Sequence, residues 1–154
     1  MPAASRSDLV LDEQLCFALH TASRAMTGCY RPLLDGIGLT YSQYAVMVVL
    51  WEHESVTLGT LCARLQLDTG TLSPLLKRLE AEGVLVRHRR AEDERTVQLT
   101  LTGRGRELRA KAAAIQARVQ DATGLRPAEL AELRDDLQAL AARLRAVHLV
   151  PEPA

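Results

Sequence analysis

The sequence predicts a mainly α-helical protein with one small β-hairpin beside two short helices, and three observations carry that prediction. Apolar residues recur at helical spacing along most of the 154 residues. Leu and Ala are abundant while aromatics make up 3%, a composition that favours long helices. Only between residues 84 and 101 does the period change to alternation, the mark of strands. A chain of this length with 47% apolar residues is one domain's worth and can build a real core.

Met1–Asp8 is short and polar and is expected to be a loose tail rather than a targeting signal. From Leu9, residues Leu11, Leu15, Leu19, Ala22 and Met26 follow a helical stripe to about Cys29 or Tyr30. Pro32 then marks a kink or a new turn, and Asp35-Gly-Ile-Gly38 a break. Thr40 and Gln43 have capping-box spacing and open a helix from Tyr41 to about Glu54. It is apolar nearly all round from Ala45 to Trp51, so it belongs at the centre of the core.

Thr57 suits the N-cap of a short helix carrying Leu58, Leu61, Cys62 and Leu65. A second short helix begins at Asp68 and Thr69, carries Leu72, Leu75, Leu76 and Leu79, and stops at Gly83. Val84, Val86 and His88 then alternate with Leu85, Arg87 and Arg89, and Val97, Leu99 and Leu101 with Gln98 and Thr100. These two strands are joined by residues 90–95, a connection too long for a two-residue turn. Thr102 caps a long helix to about Ala122, Gly124 ends it, and Pro127 starts another at its favoured first position. In that last helix Leu130, Leu133, Leu137, Leu140, Leu144 and Val147 alternate spacings of three and four, the pattern of a packed helical seam. So long a seam cannot all be hidden beneath a small hairpin domain. It points to a homodimer, with residues 10–35 and 102–148 as a helical dimerisation region; an intramolecular bundle is the alternative.

Residues 40–101, helix–turn–helix followed by a basic hairpin, form a winged helix-turn-helix, a reader of double-stranded DNA. On the second short helix, Thr69, Thr71, Ser73, Lys77 and Arg78 lie off the apolar stripe, and hydroxyls followed by cations suit base edges and phosphates in the major groove. Arg87, Arg89 and Arg90 are placed to meet phosphates around the wing. The formal net charge is zero, but residues 1–57 hold three cations and six anions while residues 77–106 hold eight cations and five anions. Local phosphate neutralisation, not the whole-chain sum, governs DNA affinity. A homodimer of such readers takes an inverted-repeat operator.

The stretches LDTGTLSPLLKRLEAEGVLVR and DERTVQLTLTGRG resemble the MarR family of bacterial repressors over nearly the whole chain. The resemblance implies that Arg95 enters the minor groove and that Asp93 helps to position it. Within that family LCFAL, YRPLLD and LTYSQY…LWEHE resemble the organic-hydroperoxide sensors, the OhrR group. That resemblance makes Cys16 the peroxide-reactive residue and Tyr30 and Tyr41 the phenols that hydrogen-bond its sulfur. Phenol donors would solvate a thiolate's charge. It further implies that an organic hydroperoxide is the inducer.

Two departures stand out. Some members carry a tyrosine one turn after the reactive cysteine that serves the partner subunit's site; this chain has His20 there. Two-cysteine members place a resolving cysteine in the long C-terminal helix, and residues 111–123 contain none. Cys29 and Cys62 read as packing residues, which leaves a small cellular thiol to form a mixed disulfide with oxidised Cys16. Read from its neighbours alone, Cys16 is more often a small packing residue, and Asp12 and Glu13 would, if close, disfavour a thiolate.

Three cysteines at wide spacing form neither a disulfide framework nor a metal cluster, and the four histidines are scattered. No cofactor, metal or catalytic signature is expected, no apolar run reaches membrane-spanning length, and the chain reads as cytoplasmic. Two rival functions share these residues: a repressor released by a small phenolic or drug-like ligand, with Cys16 inert, and a thiol peroxidase.

Overall fold

The computed structural model describes residues 9–151; the expectation for Met1–Asp8 lies outside them. Its elements run α1 (Leu15–Asp35), α2 (Tyr41–His53), β1 (Ser55–Thr57), α3 (Leu58–Leu65), α4 (Thr69–Ala81), β2 (Leu85–Arg89), β3 (Val97–Leu101), α5 (Gly103–Ala122) and α6 (Pro127–Arg145). The three strands make an antiparallel sheet in the order β1-β3-β2. The mainly α winged helix-turn-helix expected from the sequence is therefore the fold. By its internal contacts the chain divides after Gln116, inside α5.

In the first unit α2 is the central element, with Val46, Met47 and Leu50 fully buried. Thr40 and Gln43 close a capping box at its start, the Thr40 hydroxyl accepting from the Gln43 amide while the Gln43 side chain accepts from the Thr40 amide. Around α2 pack Leu34, Leu61, Leu72, Leu76 and Leu99, each at most 1% exposed. Truncating any of these to Ala costs about 2–5 kcal/mol, a large part of a domain's stability.

The first helix departs from expectation at both ends. Leu11–Glu13 form a single 3-10 turn, Gln14 is extended at φ −84° and ψ 114°, and α1 begins only at Leu15. It then continues through Pro32 to Asp35. An interior proline costs a helix about 3 kcal/mol, and continuing the helix past it buries Leu34, which offsets about 1.5–3 kcal/mol of that. The carbonyl that the proline ring crowds belongs to Gly28, where an added Cβ would meet nothing within 4 Å. Helix α4 repeats the device, with Pro74 four residues after Gly70. Strand β1 was not visible in the sequence, because three residues are too few to show alternation. It pairs Ser55 with Thr100, Val56 with Leu99 and Thr57 with Gln98.

In the second unit, Gly124 takes φ +70° after α5, and the Glu129 carboxylate accepts from the Arg126 amide at the start of α6. Leu133, Leu137, Leu144 and Val147 of the expected seam are 39–61% exposed.

One backbone approach ties α2, α5 and the wing together. The Trp51 indole N–H donates to the Gly105 carbonyl at 2.8 Å in a buried site. A Cβ on residue 105 would overlap the Val84 carbonyl and meet Leu101 Cδ2 at 3.0 Å. Beside it the Thr102 hydroxyl donates to the Gly83 carbonyl at 2.6 Å and accepts from the Gly105 amide at 3.1 Å. Gly105→Ala should therefore destabilise the fold by about 1–3 kcal/mol in urea unfolding, whereas Gly103→Ala, which meets nothing within 4 Å, should change it little.

Candidate functional site

The reader is built on two capped helices. The Thr57 hydroxyl accepts from the Thr60 amide to start α3, and the Asp68 carboxylate accepts from the Thr71 amide at 2.7 Å to start α4. That amide holds the Asp68 carboxyl below the usual aspartate range. Between the helices Gln66 turns the chain in the left-handed region, φ 55° and ψ 41°. With Leu72, Leu76 and Leu79 buried, α4 leaves Thr69, Thr71, Lys77 and Arg78 exposed and Ser73 half-buried. Gly70 and Pro74 are exposed on the same helix. Sequence reasoning passed over both because neither carries a polar group to signal contact. Cys62, expected to pack, is half-buried with its sulfur 3.8 Å from the Thr69 hydroxyl.

The wing tip is shaped by Asp93. Its carboxylate accepts from the Arg95 amide at 3.0 Å and from the Thr96 hydroxyl at 2.8 Å, and the Arg90 amide closes the loop on the Thr96 carbonyl. Asp93 thus positions Arg95 through its backbone and leaves the side chain exposed. The Arg89 guanidinium donates to the Glu94 carbonyl at 2.9 Å, and Arg90 is exposed. Arg87 is placed differently: its Nε donates to the Glu80 carboxylate at 2.8 Å, which pairs the strand with α4 and holds the Glu80 carboxyl below its usual range.

Cys16 is the second residue of α1 and is exposed. The N-terminus of α1 has no side-chain cap, since the Gln14 amide side chain turns back to the Val10 carbonyl. The break at Gln14 also takes Asp12 and Glu13 off the helix that carries the thiol. His20 is exposed one turn on. Tyr30 and Tyr41 come together with ring centroids 5.3 Å apart, at the other end of α1. Fourteen residues of helix put Cys16 and Tyr30 about 21 Å apart along the axis, so within one chain the thiol and the phenol do not meet.

The sequence reading missed Tyr44, which sits 5.3 Å from Tyr30 and 6.3 Å from Trp51, ring to ring. Its place one turn after Tyr41 was the available signal. Burial, followed by the neighbouring Tyr44, pushes the Tyr30 phenol well up, and burial pushes Tyr44 up as well. Both therefore keep their protons at neutral pH and remain donors. Cys29, expected to pack, is exposed. A groove of about 230 Å³ runs beneath the aromatic cluster between α2 and α5, lined by Tyr44, Val48, Trp51, Arg109, Ala112 and Gln116 among others.

The wing turn has a pH signature. The Arg95 amide, followed by the Thr96 hydroxyl, holds the Asp93 carboxyl below the usual range. A depressed carboxylate contributes order above its unfolded pKa and loses it as pH falls through the folded one. The Asp93 carboxyl carbon should therefore titrate below the ordinary aspartate range by NMR, and Asp93→Ala should speed exchange of the Arg95 amide at neutral pH.

Comparison with known proteins agrees with this fold. The profile of the family "Transcriptional regulator SarA/Rot" matches residues 29–112. The organic hydroperoxide resistance transcriptional regulator of Bacillus subtilis is 42% identical over 130 residues, 84% of this chain and 88% of that protein. The crystal structure of AbfR of Staphylococcus epidermidis is similar with a TM-score of 0.76 at 32% identity, over 89% of this chain and 95% of that one. The structure of reduced AbfR bound to DNA matches with a TM-score of 0.74 at 33% identity, over 87% and 94%. A polar-faced second helix, an Asp-shaped wing and these relatives agree: the chain belongs to the SarA/Rot-type, MarR-like family of winged-helix, DNA-binding transcriptional regulators.

Proposed function

We propose that the chain is a repressor that binds an inverted-repeat operator as a homodimer and releases it when an organic hydroperoxide oxidises Cys16. One observation carries this reading: an exposed cysteine stands in the uncapped first turn of α1, in a chain that also carries a complete DNA reader. An exposed thiol at this position is open to an approaching peroxide. The thiolate sulfur attacks one peroxide oxygen and the O–O bond breaks. Cys16 becomes a sulfenic acid and the departing alkoxide leaves as the alcohol after taking a proton. A small cellular thiol then attacks the sulfenic sulfur, water leaves, and a mixed disulfide remains. Within one chain Cys29 lies about 20 Å along α1, beyond the roughly 7 Å that a disulfide spans between Cα atoms. The inducer class is supported by the role named for the Bacillus subtilis relative.

The distance between Cys16 and Tyr30 supports a site assembled from two protomers. Cys16, Ser23 and Tyr30 recur every seven residues and so share one face of α1. Two copies of α1 packed antiparallel about Ser23 bring Cys16 of one protomer to the partner's Tyr30 and Tyr41, with His20 facing the partner nearer the centre. The phenols then solvate the thiolate from across the interface. Leu15 at 63% and Met26 at 43% exposure, and the exposed leucines of α6, are the apolar surface that such a homodimer covers. The reaction is stoichiometric, a signal rather than a turnover.

In this reading Thr69, Thr71, Ser73, Lys77 and Arg78 enter the major groove, Arg95 the minor groove, and Arg89 and Arg90 meet phosphates. A second reading rests on the groove beside Trp51, Glu52 and Arg109, which would take a small phenolic or drug-like ligand as inducer. The two part at Cys16. Cys16→Ser should bind operator like wild type and stay bound after cumene hydroperoxide and a small thiol, while Cys29→Ser and Cys62→Ser still release. Mass spectrometry of the oxidised wild type should find the thiol on Cys16. Release of Cys16→Ser by the peroxide would discard the sensing role. Leu137→Glu should yield monomers by sedimentation and lose specific operator binding with them; a wild-type monomer at micromolar concentration would contradict the dimer.

A further inference from the structure

Arg87 lies on the wing strand with Arg89, and its guanidinium is paired with a carboxylate whereas that of Arg89 reaches a backbone carbonyl. Its Nε donates to Glu80 Oε2 at 2.8 Å, and its own backbone amide points to Glu80 Oε1 at 3.5 Å. Both side chains are about one-third exposed, so water only partly screens the pair. Glu80 stands in the last turns of α4, one turn beyond Lys77 and next to the fully buried Leu79. Arg87 is the middle residue of β2, opposite Leu99 in β3. The pair therefore spans from the helix read as the major-groove element to the strand that leads to the wing tip. The only covalent link between the two is the tight turn at Gly83, φ +74°. Beyond that turn β2 pairs with β3 along its whole length, and the Glu80–Arg87 pair adds a side-chain tie from this sheet back to α4.

We propose that Glu80 and Arg87 are positioning residues, a strut that holds the wing at the angle where α4 and Arg95 engage adjacent grooves of one operator together. An acidic side chain on a DNA-reading helix otherwise works against binding, because it adds negative charge near the phosphate backbone. The strut explains its presence. It also separates Arg87 from Arg89 and Arg90: Arg87 acts on DNA through Glu80 and the wing, not by meeting a phosphate. The pair is coupled through geometry, so its effect should vanish when the wing has nothing to deliver.

The inference rests on the assignment of Arg95 to the minor groove, and not on Cys16 chemistry. The sign of one substitution tests it. If Arg87 were a phosphate contact that Glu80 merely competes for, Glu80→Gln would free a cation, remove an anion and tighten binding. As a strut, Glu80→Gln should weaken binding about fivefold to a duplex carrying an inverted-repeat site selected with the wild-type protein. Its melting temperature should stay at the wild-type value. Hydroxyl-radical footprints should lose the minor-groove protection at the wing and keep the rest. Arg87→Gln should match it, and the double variant should be no weaker than either single one. In an Arg95→Ala background, Glu80→Gln should cost nothing further. Tighter or unchanged binding by Glu80→Gln overturns the proposal, as does an equal loss with and without Arg95. An Arg95→Ala variant that binds like wild type overturns the wing assignment and the strut with it.

Discussion

The crossing of α5 over the start of the wing depends on residue 105 having no side chain. There the Trp51 indole N–H reaches the Gly105 carbonyl, and any Cβ would strike the Val84 carbonyl. Because Gly83, Val84, Leu101 and Thr102 all meet at this point, α2, the end of α4, both wing strands and the start of α5 are set by one contact region. Close-packed junctions of this kind shift between discrete arrangements rather than deform gradually. These elements of the reader therefore hold one another in place through that junction.

Helix α1 joins these elements at one end only. Its C-terminal part is anchored by Tyr30 and Leu34, while the turns around Cys16 are exposed. From Tyr30 the packing is continuous through Tyr44 and Trp51 to Gly105. In the proposed homodimer, the thiol of one protomer faces the tyrosines of its partner. Adding an oxygen or a thiol there changes volume and polarity beside the aromatic cluster. A difference of a few kcal/mol between two dimer arrangements is then enough to empty an operator.

Much of this was legible in the chain. Thr40, Thr57, Asp68 and Thr102 each announce a helix start, and each makes the expected side-chain bond. The wing was read from its alternation, and Asp93 from resemblance. What sequence could not show falls into two kinds. Pro32 and Pro74 sit inside helices whose later residues, Leu34, Leu76 and Leu79, are buried, and that compensation is not contained in any local pattern. The break at Gln14, the Glu80–Arg87 pair and the place of Tyr44 depend on where elements meet, and residue types alone do not carry that. The exposed face of α1 shows the same limit from the other side: a helical stripe announces burial without saying whether its own chain or a second copy provides the cover.

The central claim is that each thiol site is completed by the partner's tyrosines, and mixed dimers test it most directly. One protomer carries Cys16→Ser and the other Tyr30→Phe with Tyr41→Phe, so neither chain holds both the thiol and the phenols. Each homodimer should oxidise slowly or not at all with cumene hydroperoxide. In the mixed dimer the remaining Cys16 faces intact tyrosines across the interface, and its oxidation followed by mass spectrometry should return to the wild-type rate. A Cys16 that reacts as slowly in the mixed dimer as in its own homodimer would contradict the account.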